Sequence, residues 1–226
     1  MTLPVSEVFG PVWQGEGPFT GKRCAFVRLG LCNLSCEWCD TPYTWDATRF
    51  ELKFDELTAE QISGQLGSVR TVVISGGEPL MHQGKRAMAE LVSKPYEWHV
   101  ETNGTIDPNS VMRQHITHFT VSPKINTRDP LKKRIKPKVL GEFAEMSDRG
   151  QASFKFVCKD AADVVVVEDM MSELDVKPGA VWIMPEGVTA DAVLNGARAI
   201  ADETARCHYN LTLRQQVLMY GTERAR

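Results

Sequence analysis

The chain has 226 residues, 42% of them apolar and 24% charged, with a formal net charge of −3. That length supports one sizeable core rather than two comfortable domains, and the composition excludes a disordered or fibrous chain. The charge balance gives no global reason to expect nucleic acid. No stretch approaches the roughly 20 apolar residues of a membrane span, and the first residues lack a basic start followed by a long apolar run, so a cytoplasmic protein is expected.

In chain order, Val5 to Gly17 closes in Gly10-Pro11-Val12-Trp13-Gln14-Gly15-Glu16-Gly17. Three glycines and a proline in this run read as a loop whose backbone approaches something closely, with Gln14 and Glu16 as its hydrogen-bonding side chains. A plain surface turn would account for it taken alone. Its place just before the first clear strand, Cys24–Leu29, makes a substrate loop an equal competitor, so residues 1–22 are read as a substrate-loop segment of a single domain spanning 1–226.

Cys32-Asn33-Leu34-Ser35-Cys36-Glu37-Trp38-Cys39 follows that strand and a turn at Gly30. Thiolates are soft ligands, and this spacing is too tight for a disulfide framework, so the segment 32–39 points to iron–sulfur or zinc chemistry. Structural zinc wants a fourth ligand, yet no fourth cysteine is near, and His82, His99, His115, His118 and His208 lie far along the chain. Three thiolates and one open iron are the better reading. With an aromatic residue before its last cysteine, the loop resembles the cluster loop of the radical S-adenosylmethionine (SAM) superfamily. There the open iron of a 4Fe-4S cluster is chelated by the methionine part of SAM. Cys24, Cys158 and Cys207 share no ligand spacing and are expected to be buried small hydrophobes.

Beyond the loop, strands are predicted at Thr71–Ser75, Trp98–Glu101, His118–Ser122, Ser153–Val157 and Val181–Met184. Helices are predicted near Thr58–Leu66, Lys85–Val92, Ala161–Leu174 and Ala190–Ala205, with Thr58 and Gln61 spaced as a capping box. Such alternation predicts an α/β fold, a mostly parallel sheet with helices outside it. Ser110 to Met146 fits the alternation least. Between Thr127 and Lys138 it carries Arg128, Lys132, Lys133, Arg134, Lys136 and Lys138, read as a solvated basic loop without the interleaved aromatics of a nucleic-acid surface.

Ligands of parallel α/β folds collect beyond the carboxyl ends of the strands, and four predicted ends are chemically unusual: Gly76-Gly77-Glu78-Pro79, Glu101-Thr102-Asn103-Gly104, Ser122-Pro123-Lys124 and Met184-Pro185-Glu186-Gly187. Gly76 and Gly77 let backbone groups meet the SAM amino group, and Glu78 could help hold it. Glu101, assisted by Asn103, can accept from ribose hydroxyls, while Lys124 and Ser122 suit a carboxylate. A structural ion pair at a strand end would explain Glu101 or Lys124 alone.

These motifs, with Phe9-Gly10-Pro11, Phe26-Val27-Arg28 and Cys36-Glu37-Trp38-Cys39-Asp40-Thr41, resemble nearly end to end the 7-carboxy-7-deazaguanine synthase family. The resemblance implies a modified, shortened (β/α) barrel and a magnesium-assisted radical SAM lyase. Its reaction contracts 6-carboxy-5,6,7,8-tetrahydropterin to 7-carboxy-7-deazaguanine with loss of ammonia, for queuosine-type deazapurines. It implies a homodimer fed by an electron donor such as flavodoxin, with neither membrane nor nucleic acid as partner. By the resemblance, Trp13, Gln14, Gly15, Glu16, Arg28, Ser75 and Gln216 bind substrate, and Thr41 binds magnesium. Trp38, Cys39, Asp40, Gly76, Gly77, Glu78, Glu101, Asn103, Ser122, Pro123, Lys124, Met184 and Pro185 bind the cofactor. The closing segment 208–226 departs from the family in holding Gln216, which cannot titrate, where many members have a histidine. Rival readings are a glycyl-radical activating enzyme, which would need no pterin-acid site, and a non-catalytic metal-binding module.

Overall fold

A computed structural model describes residues 1–225. Nine strands form a single sheet in the order β3-β1-β2-β4-β5-β6-β7-β8-β9. Strands β2 (Arg23–Leu29), β4 (Thr71–Gly76), β5 (Glu97–Thr102), β6 (Ile116–Val121), β7 (Ala152–Cys158), β8 (Val181–Pro185) and β9 (Asn210–Leu211) run parallel. At one edge β1 (Leu3–Trp13) is antiparallel to β2, and β3 (Asp55–Leu57) to β1. The sheet does not close, as a shortened barrel requires.

All six strands expected from β-branched and aromatic runs form. Each is buried on both faces, so hydrophobic residues alternate with a second, more polar set. Val27, Leu29, Val72, Ile74, Val100, Phe119, Phe154, Phe156 and Ile183 belong to the main core. Against it pack α1 (Ala59–Gln65), α2 (Arg86–Val92), α3 (Ser110–His115), α5 (Pro137–Asp148), α6 (Ala161–Glu173) and α7 (Ala190–Arg206) through residues such as Ile62, Leu91, Met112, Phe143, Val167 and Ile200. Thr58 caps α1 with the full reciprocal box to Gln61. Cys24, Cys158 and Cys207 are buried thiols, and no helix among the described residues is long and apolar enough to cross a membrane.

Two expectations need correction, and one element is added. Val5 to Trp13 is strand rather than loop; the sheet tolerates Gly10 and Pro11 because the pairing with β2 shifts register between Phe9 and Val12. The basic stretch contains two helices, α4 (Leu131–Arg134) and α5, with Pro137 in the first turn of α5, where proline needs no donor. The closing segment carries a short helix, α8 (Gln215–Tyr220).

Candidate active site

The face of the sheet away from the helices forms the floor of a cavity of about 520 Å³, within the size range of small-molecule sites. The floor follows the two-residue period of the strands: Phe26 and Arg28 on β2, Ser75 on β4, Glu101 on β5, Thr120 and Ser122 across the end of β6, Lys155 and Val157 on β7, and Met184 on β8. Gln14 to Glu16, the cluster loop and the closing segment supply the walls. On the same face, toward the amino ends of β5 and β6, Phe19 packs on His99 and His118 at ring distances of 4.3 and 4.8 Å.

Cys32, Cys36 and Cys39 all line this cavity. Burial pushes the Cys32 thiol up to about 12, a cost that an iron-bound thiolate escapes. Among the described residues, the three sulfurs do not all lie within 4.8 Å of one another. Tetrahedral zinc at its usual bond length would draw them to about 3.8 Å, whereas a cubic cluster binds each thiolate at a different iron and so holds the sulfurs apart. The donor set therefore fits a 4Fe-4S cluster and not structural zinc. Trp45 Nε1 donates to Cys39 Sγ at 3.4 Å, and Thr41 Oγ1 stands 3.6 Å from the same sulfur.

The loop is held from outside by the segment read as a solvated basic loop. Asp129 Oδ2 accepts from Ser35 N at 2.5 Å, and Glu37 accepts from Thr127 Oγ1 at 3.1 Å and Arg128 N at 3.2 Å. From inside, the glycines act by close approach. A Cβ on Gly76 would fall 2.1 Å from Leu29 O, and one on Gly77 would fall 1.8 Å from Leu31 O. Backbone bonds Gly77 N to Leu29 O (3.0 Å) and Glu78 N to Leu31 O (2.8 Å) use that closeness.

Trp13, Gln14, Gly15, Glu16, Arg28, Ser75, Gln216, Trp38, Asp40, Thr41, Gly76, Gly77, Glu101, Asn103, Ser122, Lys124 and Met184 are brought to the cavity wall; Glu78, Pro123 and Pro185 are not. Fully buried, Glu78 accepts from Leu80 N at 3.0 Å, Thr102 Oγ1 at 2.8 Å and Asn103 N at 2.7 Å, so its carboxyl ties the ends of β4 and β5. Asn103 spends its amide on Asn33 and Thr105, at 2.9 and 2.6 Å. Glu101 accepts from Gln14 Nε2 at 3.0 Å and Ser75 Oγ at 2.8 Å. Lys124 donates to Ser122 Oγ at 2.9 Å and stands 5.4 Å from the centre of the Trp38 ring. Neither Glu101 nor Lys124 joins an ion pair among the described residues, which removes the structural-pair explanation for both.

Two cations of the cavity wall escaped the sequence reading. Lys155 Nζ meets Glu16 Oε2 at 2.5 Å, and Arg214 Nε meets Glu16 Oε1 at 3.0 Å. Burial alone would raise the Glu16 carboxyl; these two cations outweigh it and hold the group far below the usual carboxylate range. Gln216 Nε2 adds a third donor to Glu16 at 2.6 Å. Lys155 was findable, since a lysine in the polar register of a strand flanked by Phe154 and Phe156 is an anomaly. Two polar atoms on the wall, Arg28 Nε and Gln216 Oε1, are buried without a hydrogen-bond partner. The nearest charge to Arg28 Nε is Glu7 at 3.6 Å.

The radical SAM superfamily model matches residues 27–145. A 7-carboxy-7-deazaguanine synthase of Pyrobaculum aerophilum is 31% identical over 98% of this chain and 96% of its own. One of Halobacterium salinarum is 32% identical over 97% and 91%, and one of Escherichia coli 29% identical over 85% and 88%. Among solved structures, QueE from Escherichia coli superposes with a TM-score of 0.71 at 25% identity, covering 95% of this chain and 94% of that one.

Proposed function

The chain belongs to the 7-carboxy-7-deazaguanine synthase family of the radical SAM superfamily, and from that premise we propose how its cavity contracts 6-carboxy-5,6,7,8-tetrahydropterin to 7-carboxy-7-deazaguanine with loss of ammonia. When bound, the cluster and SAM supply a carbon-centred radical that starts the reaction at the pterin's carboxyl-bearing carbon. Cys32, Cys36 and Cys39 hold the cluster. Gly76 and Gly77 offer backbone groups to the methionine part of SAM, while Glu101, Ser122, Lys124, Trp38, Asp40 and Met184 surround the remainder. Asn103 acts indirectly, by fixing the turn after β5.

The observation that carries the substrate assignment is the pair of orphaned polar atoms. Arg28 Nε is buried without a hydrogen bond and has only the equally unpaired Glu7 Oε2 at 3.6 Å beside it, and Gln216 Oε1 is a buried acceptor in want of a donor. A molecule with a carboxylate at one end and ring N–H groups at the other answers both, and Arg28 suits a carboxylate through its fork. Glu16, kept ionised, can only accept, which favours the same N–H edge. Gln14, Gly15, Ser75 and Trp13 complete this end of the cavity. Thr41 offers one hydroxyl to magnesium, an ion that keeps few protein ligands and takes further oxygens from substrate and water. A homodimeric state, a flavodoxin-like electron donor and a cytoplasmic location belong to the same proposal and rest on the resemblance.

The test is anaerobic turnover of the reconstituted protein with SAM, reductant, magnesium and the carboxytetrahydropterin, followed by mass spectrometry. Deazapurine formed with little net loss of SAM is expected. SAM cleavage without deazapurine would overturn the substrate, and cleavage only upon adding a protein partner would favour a glycyl-radical activating enzyme.

A further inference from the structure

Arg214 stands where three separate loops meet. Its side chain is buried at the start of α8. Nε donates to Glu16 Oε1 at 3.0 Å, Nη1 to the carbonyl of Gly187 at 2.6 Å, and Nη2 to Asp40 Oδ2. The partners belong to the loop after β1, the turn after β8, and the position directly after the third cysteine. Among the described residues no other side chain bonds to all three.

We propose that Arg214 is a positioning residue: its guanidinium fork fixes the cluster loop relative to the substrate loop, so that the radical is delivered to the pterin and not dissipated. This rests on the function proposed above. A role confined to folding does not explain the choice of residue. Taking a guanidinium out of water is costly, and an apolar side chain could fill the same space. Arg214 is one of three donors on Glu16, which Lys155 and Gln216 also grip at 2.5 and 2.6 Å. What Arg214 alone supplies is the link onward. Asp40 makes no other hydrogen bond among the described residues, so without Arg214 the rim of the cluster loop has no tie to the substrate side. Glu16 and Asp40 meet different nitrogens of the guanidinium, Nε and Nη2, and an arginine reaches both because its donors are spread over one rigid plane. Lysine, with one nitrogen, cannot span them.

The variants are Arg214→Gln, Arg214→Lys and Asp40→Ala. The first readout needs no turnover: amide hydrogen exchange of the protein without SAM or substrate. In Arg214→Gln, residues 14–17 and 36–41 should exchange faster together. In Asp40→Ala only 36–41 should loosen, since Glu16 keeps its remaining donors. The second readout is SAM cleaved per deazapurine formed. It should rise about tenfold or more in all three variants, the scale expected from a small misplacement of reacting groups, while iron content stays at the wild-type level. Arg214→Lys should behave like Arg214→Gln, because the fork and not the charge is needed.

Faster exchange confined to 210–221, with an unchanged ratio of SAM cleaved to product, would overturn the proposal. If Arg214→Gln fails to fold, Asp40→Ala, altered at a half-exposed side chain, decides it alone. Should the wild-type protein leave the carboxytetrahydropterin untouched, the family reaction falls, and the exchange comparison still judges the clamp.

Discussion

Lys155 Nζ reaches Glu16 Oε2 at 2.5 Å, joining the middle of β7 to the loop after β1 across 139 positions of sequence. Both side chains are nearly closed to solvent, with 8% and 13% exposure, so neither ion is screened as a surface pair would be. Substituting Lys155→Met leaves a buried carboxylate with one cation fewer, a change that typically costs about 3–5 kcal/mol. The pH dependence should change as well. Glu16 is depressed in the folded protein, so its contribution is complete above the ordinary carboxylate value and disappears only as pH falls through the depressed folded value. In Lys155→Met that loss should move to higher pH. Urea unfolding from about pH 7 down to about pH 3 checks both claims, and Glu16→Gln in the same background should remove the shift.

The imidazoles on the cavity face of β5 and β6 give an opposite case in chemistry with the same sign in pH. Burial pushes both His99 and His118 down to about 4, with the charge of His118 adding to the effect on His99. Phe19 lies against both rings, Lys22 and Glu97 are the nearest charges to His99, and the Gly150 carbonyl meets His118 Nδ1 at 3.2 Å. Between about pH 4 and the ordinary histidine value near 6.5, the unfolded chain binds more protons than the folded one, so stability must fall as pH falls. A fall from 6.5 to about 4 corresponds to roughly 3 kcal/mol for each ring. The double variant His99→Gln, His118→Gln should flatten the stability curve over that interval, and an unaltered slope would contradict the assignment.

The sheet was readable from sequence because its strands are short apolar runs ending in chemically odd turns. What positions the site was less so. Strand β1 was hidden by Gly10 and Pro11, turn residues absorbed here by a register shift. The helices between Ser110 and Asp148 were obscured by a charge density that suggested solvent, although α5 buries Leu140, Phe143, Ala144 and Met146 on one side. Lys155 carried a local signal in its strand register. Arg214 carried none: its partners lie at positions 16, 40 and 187, as far as 198 residues away, and no local periodicity encodes such a meeting. Glu78 is the reverse case, since a carboxylate beside two glycines suggests a ligand whether or not the fold has already occupied it.

Asp129 shows what the basic segment contributes. Its carboxylate accepts from Ser35 N at 2.5 Å and from Lys133 Nζ at 2.7 Å, and the positive neighbours hold it below the usual carboxylate range against the effect of burial. The cluster loop therefore has its middle pinned from outside. Asp129→Ala should leave the melting temperature of the cluster-free protein nearly unchanged, because Asp129 touches a loop and not the core. It should nevertheless speed loss of iron to a chelator by several fold. Chelation rates and iron content measured side by side separate these effects, and equal rates in the two proteins would mean that the loop is held elsewhere.

In the proposed function, Gln216 decides how the substrate end of the cavity responds to pH. Its Nε2 donates to Glu16 and its Oε1 is left without a partner. A Cβ at position 15 would lie 1.8 Å from that oxygen, so glycine is what allows the amide to stand there. Gly15→Ala should displace Gln216 and raise the KM for the carboxytetrahydropterin about tenfold, the order expected when one buried hydrogen bond is lost, with little change in SAM affinity. Gln216→His tests the other property. An amide does not titrate, whereas an imidazole beside Glu16 would be protonated more readily than a free one. Once protonated it donates from both nitrogens and has no acceptor left for a substrate N–H. The variant should therefore bind substrate progressively worse as pH falls through the histidine range, while the wild-type protein shows no such limb. Parallel KM profiles against pH read the difference directly, and superimposable profiles would place the substrate's N–H edge away from residue 216.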